Sequence, residues 1–326
     1  MTYGAGLLRF NQFCDRFQIP ETKRMPASYV LLSSFIADHS GSTSGATIRN
    51  WLNGLRLWHV INGAEWHGKH SWVAALIKTA EKEGIVFRRP PRNPITLDYL
   101  RALRNHLDLS KPLHAAIWAS AVIAFWACRR LGELFPKSNS LFNPTTDTSR
   151  ACRLSFYSVN GRRVISFHIT STKTTGIRGF DCIVTATGDE FCPVWAFENH
   201  LDVNRVMSSD SRSLIPLFAY REDGEWIPLT KIGFLTITSN IFTAAGLESV
   251  HGHSYRIGGT LRLLLDGVSP EVIMKIGGWT SLCFLIYWRR LEQVIPLAIT
   301  QTWDSKVKEF ARKFRLANDV HDNMLN

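Results

Sequence analysis

The residues with chemical potential fall at five places along the chain. FWACRRLGELF sets Arg130 three positions before Glu133 in an apolar context. A guanidinium drawn toward an interior needs acceptors, and Glu133 can supply one. Lys173 stands in ITSTKTTG, at the end of a β-type run. His253 and Arg256 in HGHSYRIGGT share a face if that segment is helical. An imidazole beside a guanidinium can grip an anionic oxygen and move a proton next to it. Trp279 follows a Gly-Gly pair, and Tyr287 sits in CFLIYWRR. Taken singly, each has an ordinary structural reading: an internal ion pair, a solvated hairpin lysine, core aromatics. Three of them also have a neighbour of similar type: Arg129 beside Arg130, His251 near His253, Arg178 near Lys173.

The elements that must hold these residues are of two kinds. ACRLSFYSV and RRVISFHIT are β-branched and aromatic runs joined by Asn160-Gly161, the strongest short hairpin signal, and FDCIVTAT reads as a third strand. Lys173 therefore belongs to the connection between the second and third strands. Around this meander the pattern is helical. Thr96 is a candidate N-cap for LDYLRALRNHL, Leu113 to Leu134 is one long apolar helical region, and the chain returns to helices from Pro193, ending with Trp303 to Leu316.

Residues 1–87 read as all-helical. Leu7, Phe10, Phe13 and Phe17 recur at helical spacing, as do Ile48, Trp51, Leu52, Leu55 and Trp58. Tyr29 to Ala37 and Trp72 to Ala80 supply two more helices, and Thr43, Ser44 or Thr47 can cap the segment after SGSTSGAT. RRPPRNP, residues 88–94, has three prolines that cannot continue a helix, so it reads as a stiff basic linker. Residues 95–326 form the second domain. The fold class expected is mainly α with a small β-meander, an α+β arrangement.

A net charge of +11 points to a polyanionic partner, nucleic acid before a membrane surface. The first 94 residues, the smaller domain with its linker, carry 12 Lys and Arg against 6 Asp and Glu, so this portion is more basic per residue than the rest. Arg49, Arg56, Lys69 and Lys78, with Arg88, Arg89 and Arg92 of the linker, are the candidates to face a phosphate backbone. No apolar run is long enough to span a membrane. The six cysteines form no CxxC pair, which argues against zinc and for reduced thiols in an intracellular protein. No Asp/Glu/His cluster has metal-ligand spacing, so no metal and no other cofactor is expected. The start has no leader pattern and enters helical sequence at once, consistent with a natural chain that begins further upstream.

In order, RLGEL, a hairpin lysine, HxxR, GGW and a tyrosine eight positions after the tryptophan resemble the tyrosine recombinase (phage integrase-like) family. The wording RLGEL, HSYRIGGT and GGWTSLCFLIYWRR is most similar to the recombinases of Crypton-type fungal DNA transposons. The resemblance implies a helical core-binding domain, 1–87, and a catalytic domain, 95–326, closing on DNA as a C-shaped clamp. It implies that Tyr287 is the nucleophile, forming a 3′-phosphotyrosine, and that Arg130 and Arg256 bind the non-bridging oxygens. Lys173 matches the general acid and His253 the second acid/base; Trp279 donates a hydrogen bond to the phosphate and Glu133 orients Arg130. RLGEL favours Arg130 over Arg129, and only His253 stands three before Arg256. The implied activity is site-specific DNA breaking and rejoining, without metal or ATP, for excision and integration of a mobile element. The implied partners are double-stranded DNA and other copies of the chain, as a tetramer on two sites, in a eukaryotic nucleus. A catalytically silent DNA-binding relative and a type IB topoisomerase-like enzyme share these residue types.

Overall fold

The computed structural model describes residues 4–90, 92–281 and 284. The chain divides into two compact units, Met1–Pro91 and Arg92–Asn326, each with its own core; the division falls inside the proline-rich stretch 88–94.

The first unit holds four helices, α1 (Gly4–Arg16), α2 (Tyr29–His39), α3 (Gly45–Ile61) and α4 (Ser71–Glu83). Serines start two of them: Ser28 Oγ accepts from the Leu31 N–H at 3.1 Å, and Ser44 Oγ accepts from the Thr47 N–H at 3.3 Å. Phe10, Phe13, Phe35, Ile48, Leu52 and Leu55 fill the space between helices. Phe17, expected on the same face as Phe10 and Phe13, lies beyond the end of α1 and is 54% exposed. Two polar side chains are buried in this unit, Ser33 and His59. His59 bonds the Leu55 carbonyl through Nδ1 at 2.8 Å and accepts from the Ala27 N–H at Nε2 at 2.9 Å. Donation at one nitrogen and acceptance at the other define a neutral ring.

The second unit is organised on one buried helix. After α5 (Leu97–His106) comes α6 (Pro112–Trp126), buried at every position from Ala115 to Phe125. An apolar helix without a polar face is one that other elements surround. The long helix expected from 113 to 134 does not form. It ends at Trp126; Cys128 adopts φ +51, and a four-residue helix, α7 (Leu131–Leu134), follows. That left-handed step turns the chain so that Arg129 and Arg130 leave the helix axis.

The meander has strands β1 (Leu154–Val159), β2 (Arg162–Ile169) and β3 (Phe180–Thr185) in the order β1-β2-β3, all antiparallel. Asn160 and Gly161 both have positive φ, +50 and +76, as a two-residue hairpin turn of the primed type requires. Next come α8 (Pro193–Val203) and a hairpin, β4 (Tyr220–Glu222) with β5 (Glu225–Ile227). Only helices are expected after Pro193 from sequence, and the structure has this hairpin there instead. Its turn, Asp223-Gly224, has φ +50 and +86.

Three helices complete the described residues: α9 (Lys231–Ala244), α10 (Ser254–Leu265) and α11 (Pro270–Gly277). The Gly258-Gly259 pair lets α10 press against its neighbours. A methyl at Gly259 would stand 1.8 Å from the Phe125 carbonyl oxygen, and one at Gly258 2.0 Å from that of Ile95. This close approach carries Arg256 under the turn that follows α6. Among the described residues no helix is long and apolar enough to cross a membrane.

Candidate functional site

The turn after α6 and the start of α10 build the centre of the site together. Arg256 is 1% exposed, and its Nη1 donates to the Cys128 carbonyl at 2.6 Å. Cys128 can present that carbonyl because of its left-handed backbone. The Arg256 guanidinium lies 3.7 Å over the Trp279 ring. Its Nη2 is buried with no hydrogen-bond partner among the described residues. Buried donors are nearly always satisfied, so an orphaned one on a cation marks a place for an anion. Burial first, then Arg130 and Arg129, push the Arg256 pKa down to about 10, which leaves it charged near neutrality.

Arg130 begins α7 and keeps its side chain 21% exposed. Glu133 holds it twice: the Arg130 guanidinium donates to Oε1 at 2.6 Å, and the Arg130 backbone N–H donates to Oε2 at 3.2 Å. A carboxylate used in this way fixes the direction of the guanidinium and leaves further N–H groups free for a ligand.

His253 stands at the N-cap position of α10, half-buried, whereas His251 is exposed. The His253 pKa is lowered by burial first, then by Arg92, Arg256, Arg130 and Lys231. Four cations therefore act on one imidazole, and Glu133 pairs with one of them, Arg130. Such crowding of like charge is relieved when an anion arrives.

Trp279 follows the C-terminus of α11. Gly278 adopts φ +64, and its N–H and that of Trp279 close the helix onto Lys275 and Met274 at 3.1 and 3.0 Å. Trp279 is 8% exposed and packs on Phe284 with ring centroids 4.8 Å apart. Phe284, three positions before Tyr287 in the sequence, is the last described residue; Tyr287 and the Trp303–Leu316 helix expected from sequence lie outside the described residues.

Lys173 sits in the β2–β3 connection, exposed, and its side chain makes no hydrogen bond or ion pair among the described residues. The loop around it is ordered by its threonines. Thr172 Oγ1 accepts from the N–H groups of Thr174 and Thr175 at 3.3 and 3.1 Å, and Thr174 Oγ1 donates to the Gly278 carbonyl at 3.3 Å. The residue next to Lys173 is thus tied to the residue before Trp279.

Solved structures similar to this chain include a recombinase and an integrase. The XerH site-specific recombinase, in a post-cleavage complex with palindromic difH substrate, matches with TM-score 0.55 and 16% identity over 90% of this chain and 78% of that one. The Tn1549 transposon integrase, in complex with transposon right end DNA, matches with TM-score 0.52 and 12% identity over 95% and 92%. This chain has the tyrosine recombinase fold. No protein-family model matches it, and no curated protein does.

Within the tyrosine recombinase fold, Arg130, Glu133, His253, Arg256 and Trp279 come together, and Thr174, the neighbour of Lys173, bonds the Gly278 carbonyl. The basic candidates Arg56, Lys69, Lys78, Arg88, Arg89 and Arg92 are all exposed. Arg49 is exposed but ion-paired with Glu81, so it meets a phosphate only by exchanging that partner.

One residue of the cluster, Lys231, has no counterpart among the candidates from sequence, and Arg129 stands there only as the alternative to Arg130. Lys231 opens α9 after the Thr230 cap, and its Cε passes 3.1 Å from where a Gly252 methyl would stand, one residue from His253. Its only sequence signal is a Thr-Lys helix start. Arg129 was an alternative to Arg130; it is 1% exposed, with its guanidinium 4.5 Å over the Phe180 ring.

Proposed function

We propose that this chain is a site-specific DNA recombinase that breaks and rejoins DNA through a 3′-phosphotyrosine at Tyr287. The observation that carries the reading is the buried, unpartnered Nη2 of Arg256 within a cluster of cations. The tyrosine recombinase fold and the order of the motifs support it.

In this reading the scissile phosphate sits where Arg256 Nη2 and the free donors of Arg130 converge. Planar, always-charged, two-pronged donors suit the equatorial oxygens of the phosphorane transition state. The Tyr287 oxygen bonds to phosphorus as the bond from phosphorus to the 5′ oxygen breaks. His253, held neutral by burial and its cationic neighbours, takes the phenol proton. Lys173 gives a proton to the departing 5′ oxygen. Trp279 keeps Arg256 in place by stacking and offers its indole N–H to the phosphate. Rejoining reverses each transfer. The phosphoester bond count is conserved, so neither ATP nor a metal ion is needed.

The partner is duplex DNA, bound by the basic faces of the first unit and the linker, Arg56, Lys69, Arg88, Arg89 and Arg92, with Arg49 after release from Glu81. The wording of the motifs supports a Crypton-type element as the DNA that is moved, in a nucleus, by a tetramer on two sites.

The test is strand exchange between plasmids carrying the element ends, in chelator and without ATP. Recombinant product is the expected result. Bound but unexchanged DNA means a silent binder, and relaxed supercoils without exchanged partners mean a topoisomerase-like enzyme; either outcome replaces this proposal.

A further inference from the structure

Arg129 is a heavily engaged cation beside the site, with no part in the proposed cleavage and rejoining. Its Nε donates to the Ala127 carbonyl at 2.9 Å, and its Nη2 donates to the Ile276 carbonyl at the end of α11. Its Nη1 lies 3.8 Å from Glu133 Oε2. Its guanidinium covers the ring of Phe180, the first residue of β3. One side chain thus reaches the turn after α6, the last turn of α11, α7 and the base of the β2–β3 connection.

Those contacts close a circuit around Lys173. Phe180 anchors the connection where it re-enters the sheet. A methyl at Gly278 would stand 3.3 Å from the Phe180 ring, so the turn before Trp279 rests against that ring. On the other side, Thr174 donates to the Gly278 carbonyl at 3.3 Å. The loop that carries Lys173 is therefore attached at Thr174 and at Phe180 to the turn 276–279, and Arg129 holds both that turn, through Ile276, and Phe180. With a face stacked on a ring and donors committed to two carbonyls, Arg129 is structurally distinct from Arg130, whose side chain is partly exposed. Lysine cannot reproduce the arrangement, because it has no planar face to stack and a single donor centre.

We propose that Arg129 is a positioning residue that sets the β2–β3 connection so that Lys173 can protonate the leaving 5′ oxygen; this rests on the reading of Lys173 as the general acid. Arg129 touches neither the phosphate nor the leaving group. Losing it lowers the fraction of complexes in which Lys173 is delivered, and leaves phosphate binding by Arg130 and Arg256 in place.

A substrate that needs no general acid separates this role from the others. Replacing the bridging 5′ oxygen by sulfur gives a thiolate leaving group that departs without a proton. Full-length wild type, Arg129→Met, Arg129→Lys and Phe180→Leu are compared on the oxygen and sulfur substrates, with Lys173→Met as the control. A general acid contributes about 10²-fold or more. Both Arg129 variants are expected to lose about tenfold or more on the oxygen substrate and to approach wild type on the sulfur one; Phe180→Leu, which removes only the stacked ring, follows the same pattern more mildly. Hydrogen exchange is expected to rise in 172–180 and 276–279 of the Arg129 variants and to stay unchanged in α6. Equal losses on both substrates overturn the proposal, since a folding defect or a direct phosphate contact is not rescued by sulfur. Wild-type behaviour of Arg129→Lys also overturns it. If Lys173→Met is not rescued by sulfur, the general-acid reading itself falls, an outcome separate from rescue of Lys173→Met without rescue of the Arg129 variants.

Discussion

The Arg256 guanidinium lies 3.7 Å over the Trp279 ring while its Nη2, buried, has no hydrogen-bond partner among the described residues. The stack fixes the plane of the guanidinium, and the carbonyl of Cys128 fixes its rotation through Nη1. What is left over is an aimed donor with nothing to bind. Arg256→Lys keeps a charge but loses both the stacking plane and the second donor. Its DNA cleavage is expected to fall on the order of 10²-fold or more, while DNA affinity, carried by many phosphate contacts, changes little. Single-turnover cleavage beside a binding titration checks this; equal losses in both would mean that Arg256 serves binding alone.

His253 gives a pH dependence with a definite sign. Its pKa in the free protein is below the ordinary histidine value near 6.5, through burial and then Arg92, Arg256, Arg130 and Lys231. A bound phosphate offsets those cations and raises it. Between the two values the complex holds more protons than the free protein, so DNA affinity is expected to rise as pH falls through that window, by at most about tenfold per pH unit for one proton. Binding titrations from pH 7.5 to 5 should show the slope in wild type and its loss in His253→Gln. The same slope in both would assign the proton elsewhere.

The close approach of α10 to α6 depends on the absence of a side chain at Gly259. A methyl there would stand 1.8 Å from the Phe125 carbonyl oxygen, backbone that has no flexible end to swing away. Gly259→Ala is expected to destabilise the second unit by about 1–3 kcal/mol or more, and to lower cleavage as well, because Arg256 lies three residues before. Urea unfolding measures the first; unchanged stability would mean that the helices separate without cost.

Acid weakens the first unit through His59. Its pKa is lowered, by burial first, and Nε2 accepts the Ala27 N–H, an acceptor lost on protonation. The folded pKa is below the unfolded one, so this contribution is complete above about pH 6.5 and lost as pH falls through the folded value. His59→Gln, which cannot titrate, is expected to show a shallower loss of stability between pH 7 and 5. Parallel curves for the two proteins would exclude His59 as the source.

How much of this was legible in the sequence depends on whether the signal was local. Asn160-Gly161 between two alternating runs announced β1 and β2 directly. Asp223-Gly224 is a turn of similar backbone, yet its strands, YRE and EWI, are three residues each and too short to show alternation. The break after Trp126 left no trace, because Cys128 takes a left-handed conformation without being glycine, and the apolar pattern runs on past it. In the site, Arg130, Glu133, His253 and Arg256 were readable because their partners are three residues away on the same element. Lys231 was not, since it enters from α9 over Gly252, and Arg129 was legible only as an alternative to Arg130, because its contacts, Ile276 and Phe180, are distant in sequence.

The central claim, that this chain joins itself to DNA through Tyr287, is tested most directly by trapping the intermediate. A nicked duplex carrying the element end loses its short downstream fragment on cleavage and cannot be rejoined. Denaturing electrophoresis of the reaction in chelator should show a covalent protein–DNA adduct with wild type and none with Tyr287→Phe. An adduct that persists in Tyr287→Phe, or no adduct from wild type on DNA that it binds, would contradict the account.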